Sequence, residues 1–286
     1  MKSETQSAYY EAINRVIEYI NSHLYDTLTI KNLAGIAHLS EYHFHRIFKS
    51  IIGEPVGAYI VRLRLEHIAQ KLQLTSHSLT TIAEQTAYES KHALSKKFKK
   101  HFGINPSEFR SDNQKKVQGF RYTHKLSPRI ENVPNMTVVY IRIISKYGEE
   151  ELYTTSWAKL FQFAKEQNLL NSATESLGMS FDDPSITNDR CRFYACISVN
   201  KKVKPQGEFG VKNIDGGLYA IFTLKGSYSQ LNDFYSAIIY EWLPNSDYKY
   251  RKGAMFEKYL NNPNKVAGDE ILTEAYIPVK IKEIRK

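Results

Sequence analysis

Apolar positions recur at the period of an α-helix through the first 110 residues of the chain. Residues 7 to 24 place Ile13, Val16, Ile17, Ile20 and Leu24 on one face at about 100° per residue. Runs of the same period follow, and they read IKNLAGIA, EYHFHRIFKSII and, after Gly53 and Pro55 interrupt the chain, VGAYIVRLRLEHIAQKLQL. Hydroxyl residues that can accept bonds from the free amides of a helix start stand at Thr29, Ser40, Ser78 and Ser90. The pattern predicts an all-α N-terminal domain.

One helical unit occurs twice. When residue n is placed over residue n+50, Phe44 falls on Leu94, Arg46 on Lys96, Phe48 on Phe98, Lys49 on Lys99 and Gly53 on Gly103. Upstream the offset is 49, with Thr29 over Ser78 and Ala34 over Ala83. A change of one residue between the first and second helix is expected for a duplicated unit with one inserted turn residue. We therefore predict two helix-turn-helix units.

The second helix of each unit has an apolar face and a basic face. In the later copy Leu94, Phe98 and Phe102 form one stripe, and residues 91 to 102 contain no Asp or Glu. A surface helix ordinarily mixes charges of both signs. A basic run by itself would also fit a solvated face. Its recurrence at the same positions in both copies favours contact with nucleic acid.

The candidate DNA contacts lie on these basic faces and at the helix starts, where free amides suit phosphate. They are Ser40, Tyr42, His45, Arg46 and Lys49 in the first copy, and Ser90, Lys91, His92, Ser95, Lys96, Lys99 and Lys100 in the second. We assign His92, Ser95 and Lys96 to base edges, and Lys91, Lys99 and Lys100 to phosphates. Arg46 can pair with a guanine through two hydrogen bonds, and Lys96 offers a less rigid version of that contact. His45 fits a base contact or a phosphate-facing position equally well.

The order and spacing of these residues, together with FKKHFGINPSEFR at residues 98 to 110, resemble the DNA-binding domain of the AraC/XylS family of bacterial transcription regulators. The resemblance covers roughly residues 8 to 112. It implies double-stranded promoter DNA and RNA polymerase as partners, an activator, and His45 and Arg46 directed toward bases. One departure is Ala87, where the family usually has a glycine before an aromatic residue, here Tyr88. Glycine tolerates positive φ at such turns, so the geometry at Ala87 stays open.

The helix between the two units sets their separation. At 1.5 Å per residue, its roughly 19 residues span about 30 Å, which is close to one turn of B-DNA, about 34 Å. A monomer with this spacer can present both recognition helices to successive major-groove faces.

Composition narrows the remaining choices. The formal net charge of +9 suits a polyanionic partner. Cys191 and Cys196 are five apart in a strand-like run, so they point to opposite faces and cannot bridge. His43 and His45, two apart on a helix, diverge by about 200° and cannot chelate one metal ion. We predict no cofactor and no metal.

The N-terminus lacks the apolar core of a signal peptide, and no run approaches the ~20 apolar residues of a membrane span. The expected location is cytoplasmic, on the bacterial nucleoid.

The pattern changes in the second half of the chain. Residues 113–129 mix charge with Ser and Pro and are predicted to be a linker between domains 1–112 and 130–286. The strand, helix, strand, strand order then occurs twice. The predicted strands are MTVVYIRII, SLGMSFDDP and RFYACISV in the first repeat, and GGLYAIFTL, AMFEKYL and ILTEAYIPVK in the second repeat. The predicted helix of the first repeat contains Trp157, and that of the second contains Phe234. Two such repeats predict an α+β domain with its helices on one face of an antiparallel sheet.

GGLYAIFTLKGSY, EWLPNS, MFEKYLNNP and TEAYIPVK resemble the GyrI-like effector-binding domain. The resemblance implies a groove lined by aromatic residues, with a buried glutamate that attracts cationic, lipophilic compounds. By the FEKYL motif this glutamate is Glu257. In a strand, Met255, Glu257 and Tyr259 share one face. The alternative is that this face is exposed and Glu257 keeps an edge strand soluble. Further candidates for effector contact are Trp157, Trp242, Tyr219 and Tyr276, although aromatic residues on such elements are more often core.

The leading interpretation is a sequence-specific, DNA-binding transcription regulator whose C-terminal domain binds a small amphipathic or cationic effector. The first alternative is a GyrI-like hydrolase, or a protein that sequesters small molecules, fused to a DNA-binding domain. The second is an architectural protein that binds DNA without sequence preference. No nucleophile and base stand at a recognisable spacing, and we therefore predict that the chain is not an enzyme.

Overall fold

The computed structural model describes residues 2–120, 122–146, 149–182, 187 and 190–282. Two compact units divide the chain between Lys116 and Val117, although two short stretches between residues 182 and 210 group with the first unit. The first unit is helical. Its helices are α1 (Lys2–Ser22), α2 (Ile30–Ala37), α3 (Glu41–Ile52), α4 (Val56–Leu74), α5 (Leu79–Glu84), α6 (Lys91–Phe102) and α7 (Pro106–Gly119).

Side-chain caps start the helices of both helix-turn-helix units. Thr29 accepts from the amide of Asn32, Ser40 from His43, Ser78 from Thr81 and Ser90 from Ala93. Left-handed glycines end both recognition helices, with φ of 82° at Gly53 and 79° at Gly103. The four predicted caps are confirmed, because each depends only on a hydroxyl three residues from the amide it satisfies.

The two copies also pack alike. Phe48 meets Tyr59 edge to face at 5.5 Å, and the duplicated pair Phe98 and Phe109 meets at the same centroid distance. The core of the second copy combines α4 residues such as Leu65 and Ile68 with residues of α5 and α6. Helix α1 contacts α2 and α3, and it therefore packs against the first copy.

The turns of the two copies differ. His38 adopts the left-handed conformation, with φ of 56°, after α2. Ala87 is its equivalent at the offset of 49, and it is not among the positive-φ residues of the described chain. The second turn therefore follows a path that any L-residue can adopt, and it needs no glycine.

The boundary between the two compact units falls within the predicted linker, but the first part of that segment is helical, because α7 continues to Gly119. A capping box starts this helix: the Asn105 side chain accepts from the amide of Glu108 at 2.9 Å, and Glu108 accepts from the amide of Asn105 at 3.0 Å. Past the helix, Tyr122 and Leu126 pack against the second unit, and the Tyr122 amide donates to Glu241 Oε1 at 3.0 Å. The mixed polar composition of residues 113–129 gave no helical period, and it therefore did not predict the end of α7 or the contacts of Tyr122 and Leu126.

The second unit is built on one sheet. Its strands are β1 (Arg129–Val133), β2 (Met136–Ser145), β3 (Ser176–Ser180), β4 (Cys191–Val199), β5 (Phe209–Ile214), β6 (Gly217–Lys225), β7 (Tyr248–Tyr250), β8 (Phe256–Tyr259) and β9 (Leu272–Ile281). Their order is β1-β6-β9-β8-β3-β4-β2-β5, with β7 also paired to β9. The pairings from β1 through β2 in that order are antiparallel.

Two repeats form this sheet, as predicted. The first is β2, α8 (Glu150–Glu166), β3 and β4. The second is β6, α9 (Leu231–Ala237), β8 and β9, where α9 continues through a π-helical turn (Ile238–Trp242) into α10 (Leu243–Asn245). Strand β1 precedes β2 but pairs with β6, and β5 precedes β6 but lies beside β2. The repeats thus exchange their flanking strands, and they join where β3 meets β8.

The sheet has two different faces. Phe222, Ala275 and Ile277 pack with Phe234 and Ile238 on the helix face. The reverse face is lined by side chains such as Tyr140, Tyr194 and Phe256. Cys191 and Cys196 are both buried, and no disulfide joins them, as their spacing predicted.

Candidate functional site

The recognition helices expose the predicted basic side chains. Tyr42, which is 74% exposed, stands on α3 with His45, Arg46 and Lys49. The exposed set on α6 is Lys91, His92, Lys96, Lys99 and Lys100, and Ser95 is half-buried. The caps Ser40 and Ser90 are exposed at the helix starts. Each predicted contact except Ser95 therefore reaches solvent.

The outer face of α3 is pre-arranged. The Arg46 guanidinium lies 5.8 Å above the Tyr42 ring, which restrains a long side chain without neutralising its charge. His43 points inward, where Nε2 meets the Tyr9 hydroxyl at 2.7 Å, whereas His45 is exposed. The two histidines diverge, as their spacing predicted.

Glu257 is a buried carboxylate in the middle of the sheet. It is 5% exposed, and β8 lies between β9 and β3 and is not an edge strand, so the solubilising interpretation of this residue is wrong. The Tyr259 hydroxyl donates to Glu257 Oε2 at 2.7 Å, and Tyr235 supplies a second side-chain hydrogen bond. Burial raises the pKa of the Glu257 carboxyl, and the two hydrogen bonds oppose that shift.

Aromatic side chains from α8, α9 and the turn before α9 surround this carboxylate. The Tyr259 ring meets Trp157 at 5.8 Å and Tyr228 at 5.6 Å, both edge to face. Burial, and then the charge of Glu257, raise the pKa of Tyr228 to about 12. We call Glu257, Tyr259, Tyr235, Tyr228, Tyr153 and Trp157 the Glu257 cluster.

Tyr153 closes the α8 side of the cluster. Its ring lies 5.0 Å from that of Phe193, and its pKa is raised to about 12, chiefly by burial, with smaller contributions from Cys191 and then Glu257. Tyr153, Trp157 and Phe161 follow one another at intervals of four along α8, and Trp157 stacks on Phe161 at 5.9 Å. Phe161 is 40% exposed, so an aromatic strip runs from the carboxylate to the surface.

Gly178 makes room for this arrangement. It faces Glu257 directly across the β3–β8 pairing. A Cβ atom at Gly178 would lie 2.2 Å from the Tyr259 hydroxyl and 2.8 Å from the Phe193 ring. The absent side chain is therefore a condition for the Tyr259–Glu257 hydrogen bond.

The other predicted effector residues divide between the two faces. Met255 and Trp242 lie on the helix face, but Trp242 packs on Phe222 at 4.9 Å, within the core. Tyr219 and Tyr276 lie on the reverse face around Phe256, so their assignment to the same site as Glu257 is wrong. Side chains alternate along a strand, and Phe256 and Glu257 necessarily point to opposite faces.

Sequence reasoning missed Tyr153, Tyr228, Tyr235 and Gly178. The interval of four between Tyr153, Trp157 and Phe161 was a usable signal for the first of these. Gly178 carried no such signal, because its role depends on the partner strand.

Residues 126–280 match the family model described as the GyrI-like small molecule binding domain. The chain belongs to that family. Residues 33–112 match a helix-turn-helix domain model, and both resemblances inferred from the sequence are confirmed. The GyrI-like match contains every member of the Glu257 cluster, and the helix-turn-helix match contains both recognition helices.

Two relatives match this chain over nearly its whole length, and a third matches a shorter stretch of it. Transcriptional regulator Rob of Salmonella typhimurium is 25% identical over 284 residues, which cover 94% of this chain and 98% of the relative. The right origin-binding protein of Escherichia coli K12 matches with the same identity and coverage. The multiple antibiotic resistance protein MarA of E. coli K12 is 29% identical over 116 residues, or 40% of this chain and 89% of MarA.

These relatives identify the chain as a DNA-binding transcription regulator of the Rob and MarA type and not as an enzyme. Among the described helices, none has the length and apolar character that crossing a bilayer requires.

Proposed function

We propose that the chain is a transcription activator whose GyrI-like domain, residues 130–286, binds a small amphipathic cation at the Glu257 cluster. Its DNA-binding domain, residues 1–112, reads promoter DNA as a monomer through α3 and α6 and acts on RNA polymerase. The observation that carries the effector half is the buried carboxylate of Glu257 beneath a wall of half-buried aromatic rings.

The charge of the ligand follows from burial. An ionised carboxylate away from water is unstable unless it is paired, and two tyrosine hydroxyls only partly replace hydration. A cation close to Glu257 stabilises the ionised form directly. The faces of Tyr228, Tyr259 and Trp157 add cation–π attraction.

The shape of the ligand follows from the aromatic strip. Trp157 and Phe161 extend from the cluster toward solvent along α8, and both accept flat, apolar groups. A molecule with its positive charge at Glu257 and its apolar body along Trp157 uses both features. This combination defines an amphipathic cation.

Binding of two ions of the same shape tests the proposal. Tetraphenylphosphonium and tetraphenylborate differ mainly in the sign of their charge, and tryptophan fluorescence or calorimetry on the full chain reports the binding of either ion. We expect the cation to bind at least about tenfold more tightly than the anion, and Glu257→Gln to reduce that preference to the part supplied by the aromatic rings, because the substitution deletes one partner of a buried charge pair.

A matched control separates this local effect from net charge. Glu131→Gln changes the charge equally at a side chain that is 51% exposed in the same unit. It should leave the preference for the cation unchanged. Equal affinity for the two ions in the native chain, or an undiminished preference in Glu257→Gln, would rule out Glu257 as the cation partner.

A further inference from the structure

Two charged side chains are buried in the middle of α4, the helix that joins the recognition units. Arg62 is 9% exposed and Glu66 is 4% exposed. Arg62 Nη1 donates to both Glu66 oxygens at 3.0 and 3.1 Å. Its Nε and Nη2 donate to Glu54 Oε1 at 3.1 and 2.8 Å. The guanidinium also lies 5.4 Å above the Tyr59 ring, so this ion network is held from three directions.

The network lies where the ends of the two recognition helices approach α4. Glu54 directly follows Gly53, the residue that ends α3. His101 belongs to the last turn of α6, and α4 packs against both recognition helices. Partial burial, and then the positive charge of Arg62, lower the pKa of His101, whereas Glu54 acts in the opposite direction. Arg62 thus stands between the C-terminal ends of α3 and α6.

Ion pairs in this position constrain the orientation of the helices, which apolar packing alone does not do. The rest of the α4 core consists of side chains such as Ile60, Leu63 and Ile68, whose contacts are not directional. A buried ion network adds little net stability compared with apolar residues, but its hydrogen bonds hold only in one geometry. It therefore favours one orientation of the helices over others that would bury as much apolar surface.

We propose that Arg62 is a positioning residue that fixes α3 and α6 relative to each other and thereby sets the half-site spacing that the chain accepts on DNA. The inference rests on the proposed insertion of both recognition helices. Arg62 acts through Glu54 and the end of α3, and it needs no contact with DNA.

Spacing variants of a selected site test this role. A duplex is first obtained by in vitro selection with the full chain, and one base pair is then inserted or deleted between its half-sites. We expect the native chain to lose about tenfold or more in affinity, because one helix loses its base contacts. The variant Arg62→Met, Glu54→Gln, Glu66→Gln removes the three charges of the network together, so that none of the three is buried without the others. This variant should bind the original duplex more weakly than the native chain does. Its affinity should fall by less than about threefold when one base pair is inserted or deleted, because a helix-turn-helix unit that is no longer fixed by the network can still reach its half-site.

Two further variants complete the test. Lys115→Met removes an exposed ion pair with Asp112, 3.6 Å long, and should keep the native spacing penalty. Arg62→Lys keeps the charge without the planar fork and should show an intermediate penalty, which provides a readout if the triple variant does not fold.

Failure of two-helix recognition and failure of the positioning role of Arg62 give different experimental results. If Arg46→Ala or Lys96→Ala leaves base preference unchanged, one helix does not read bases, and two-helix recognition fails together with this inference. If both substitutions relax base preference while the triple variant keeps the native spacing penalty, only the role of Arg62 is overturned. A native chain that tolerates every spacing also overturns it.

Discussion

Protonation of Glu257 competes with the ligand that we propose for it. The pKa of the buried carboxyl is raised above its ordinary value of 4.5, so the folded chain binds a proton more tightly than the unfolded chain does. This difference stabilises the fold fully below pH 4.5, and the stabilisation is lost as the pH rises through the raised pKa. Ionised Glu257 is therefore the less stable native form and the one that a cation stabilises.

The affinity for tetraphenylphosphonium should accordingly rise with pH, with a midpoint above that of an ordinary glutamate. Calorimetric titrations of the full chain between about pH 4 and about pH 8 measure it. In Glu257→Gln the affinity for tetraphenylphosphonium should not change with pH. The free energy of unfolding of this variant should also decrease less than that of the native chain as the pH rises over the same range. A native affinity that falls as the pH rises would contradict the assignment.

Arg46 and Lys96 occupy equivalent places in the two duplicated helices. Replacing either with alanine should cost about 1 to 3 kcal/mol on the preferred site and relax base preference at a few positions, because a base-edge contact discriminates as well as binds. Lys99→Ala on the same helix is the matched control. It should weaken binding on all sequences about equally and reduce the salt slope by about one. Fluorescence anisotropy on selected and scrambled duplexes at two salt concentrations distinguishes these outcomes, and identical preferences in all variants would remove the base contacts.

The pairing of strands β3 and β8 joins the two repeats and brings the residues of the Glu257 cluster together. Each repeat buries its own helix against its own strands, but neither contains the whole Glu257 cluster. Tyr153 and Trp157 come from the first repeat, and Tyr228, Tyr235, Glu257 and Tyr259 come from the second. The β3–β8 register brings Gly178 opposite Glu257, so the geometry at the carboxylate depends on this one pairing.

Gly178→Ala should displace the Tyr259 hydroxyl from Glu257, because the new methyl group occupies its position. We expect a loss of about 1 to 3 kcal/mol in the free energy of unfolding, as for other overpacked cores, together with weaker binding of tetraphenylphosphonium. Gly57→Ala is the control, since a Cβ there meets nothing within 4 Å and the residue lies in α4. Thermal unfolding that leaves Gly178→Ala as stable as the native chain would show that Tyr259 has another position available.

At the level of the whole molecule, a basic, duplicated DNA-binding domain is joined to a GyrI-like domain that contains a buried carboxylate. The net charge of +9 supports the first of these, and by itself it contains no information about the second. The segment between the domains contains more structure than its composition indicated, since α7 continues to Gly119 and the Tyr122 amide donates to Glu241. Any effect of a ligand on DNA binding requires unequal affinity for two states of the chain.

The sequence by itself determined the features that depend on neighbours within a few residues. Helix caps, the duplicated amphipathic faces and the strand, helix, strand, strand order follow from hydroxyl positions and from the periods of 3.6 and 2. The exposure of Lys96 and Arg46 follows in the same way, because the apolar stripe of each helix is turned toward the core.

Only the tertiary structure decided which residues meet around Glu257 and Arg62. Glu257 faces Gly178 although 78 residues lie between them along the chain, and strand register between distant repeats is set by the packing of both faces together. The same packing placed Tyr219 and Tyr276 on the reverse face and brought Glu54 to Arg62. Local patterns specify which face of an element is apolar, whereas its partner is fixed by the joint burial of all the elements that share a core.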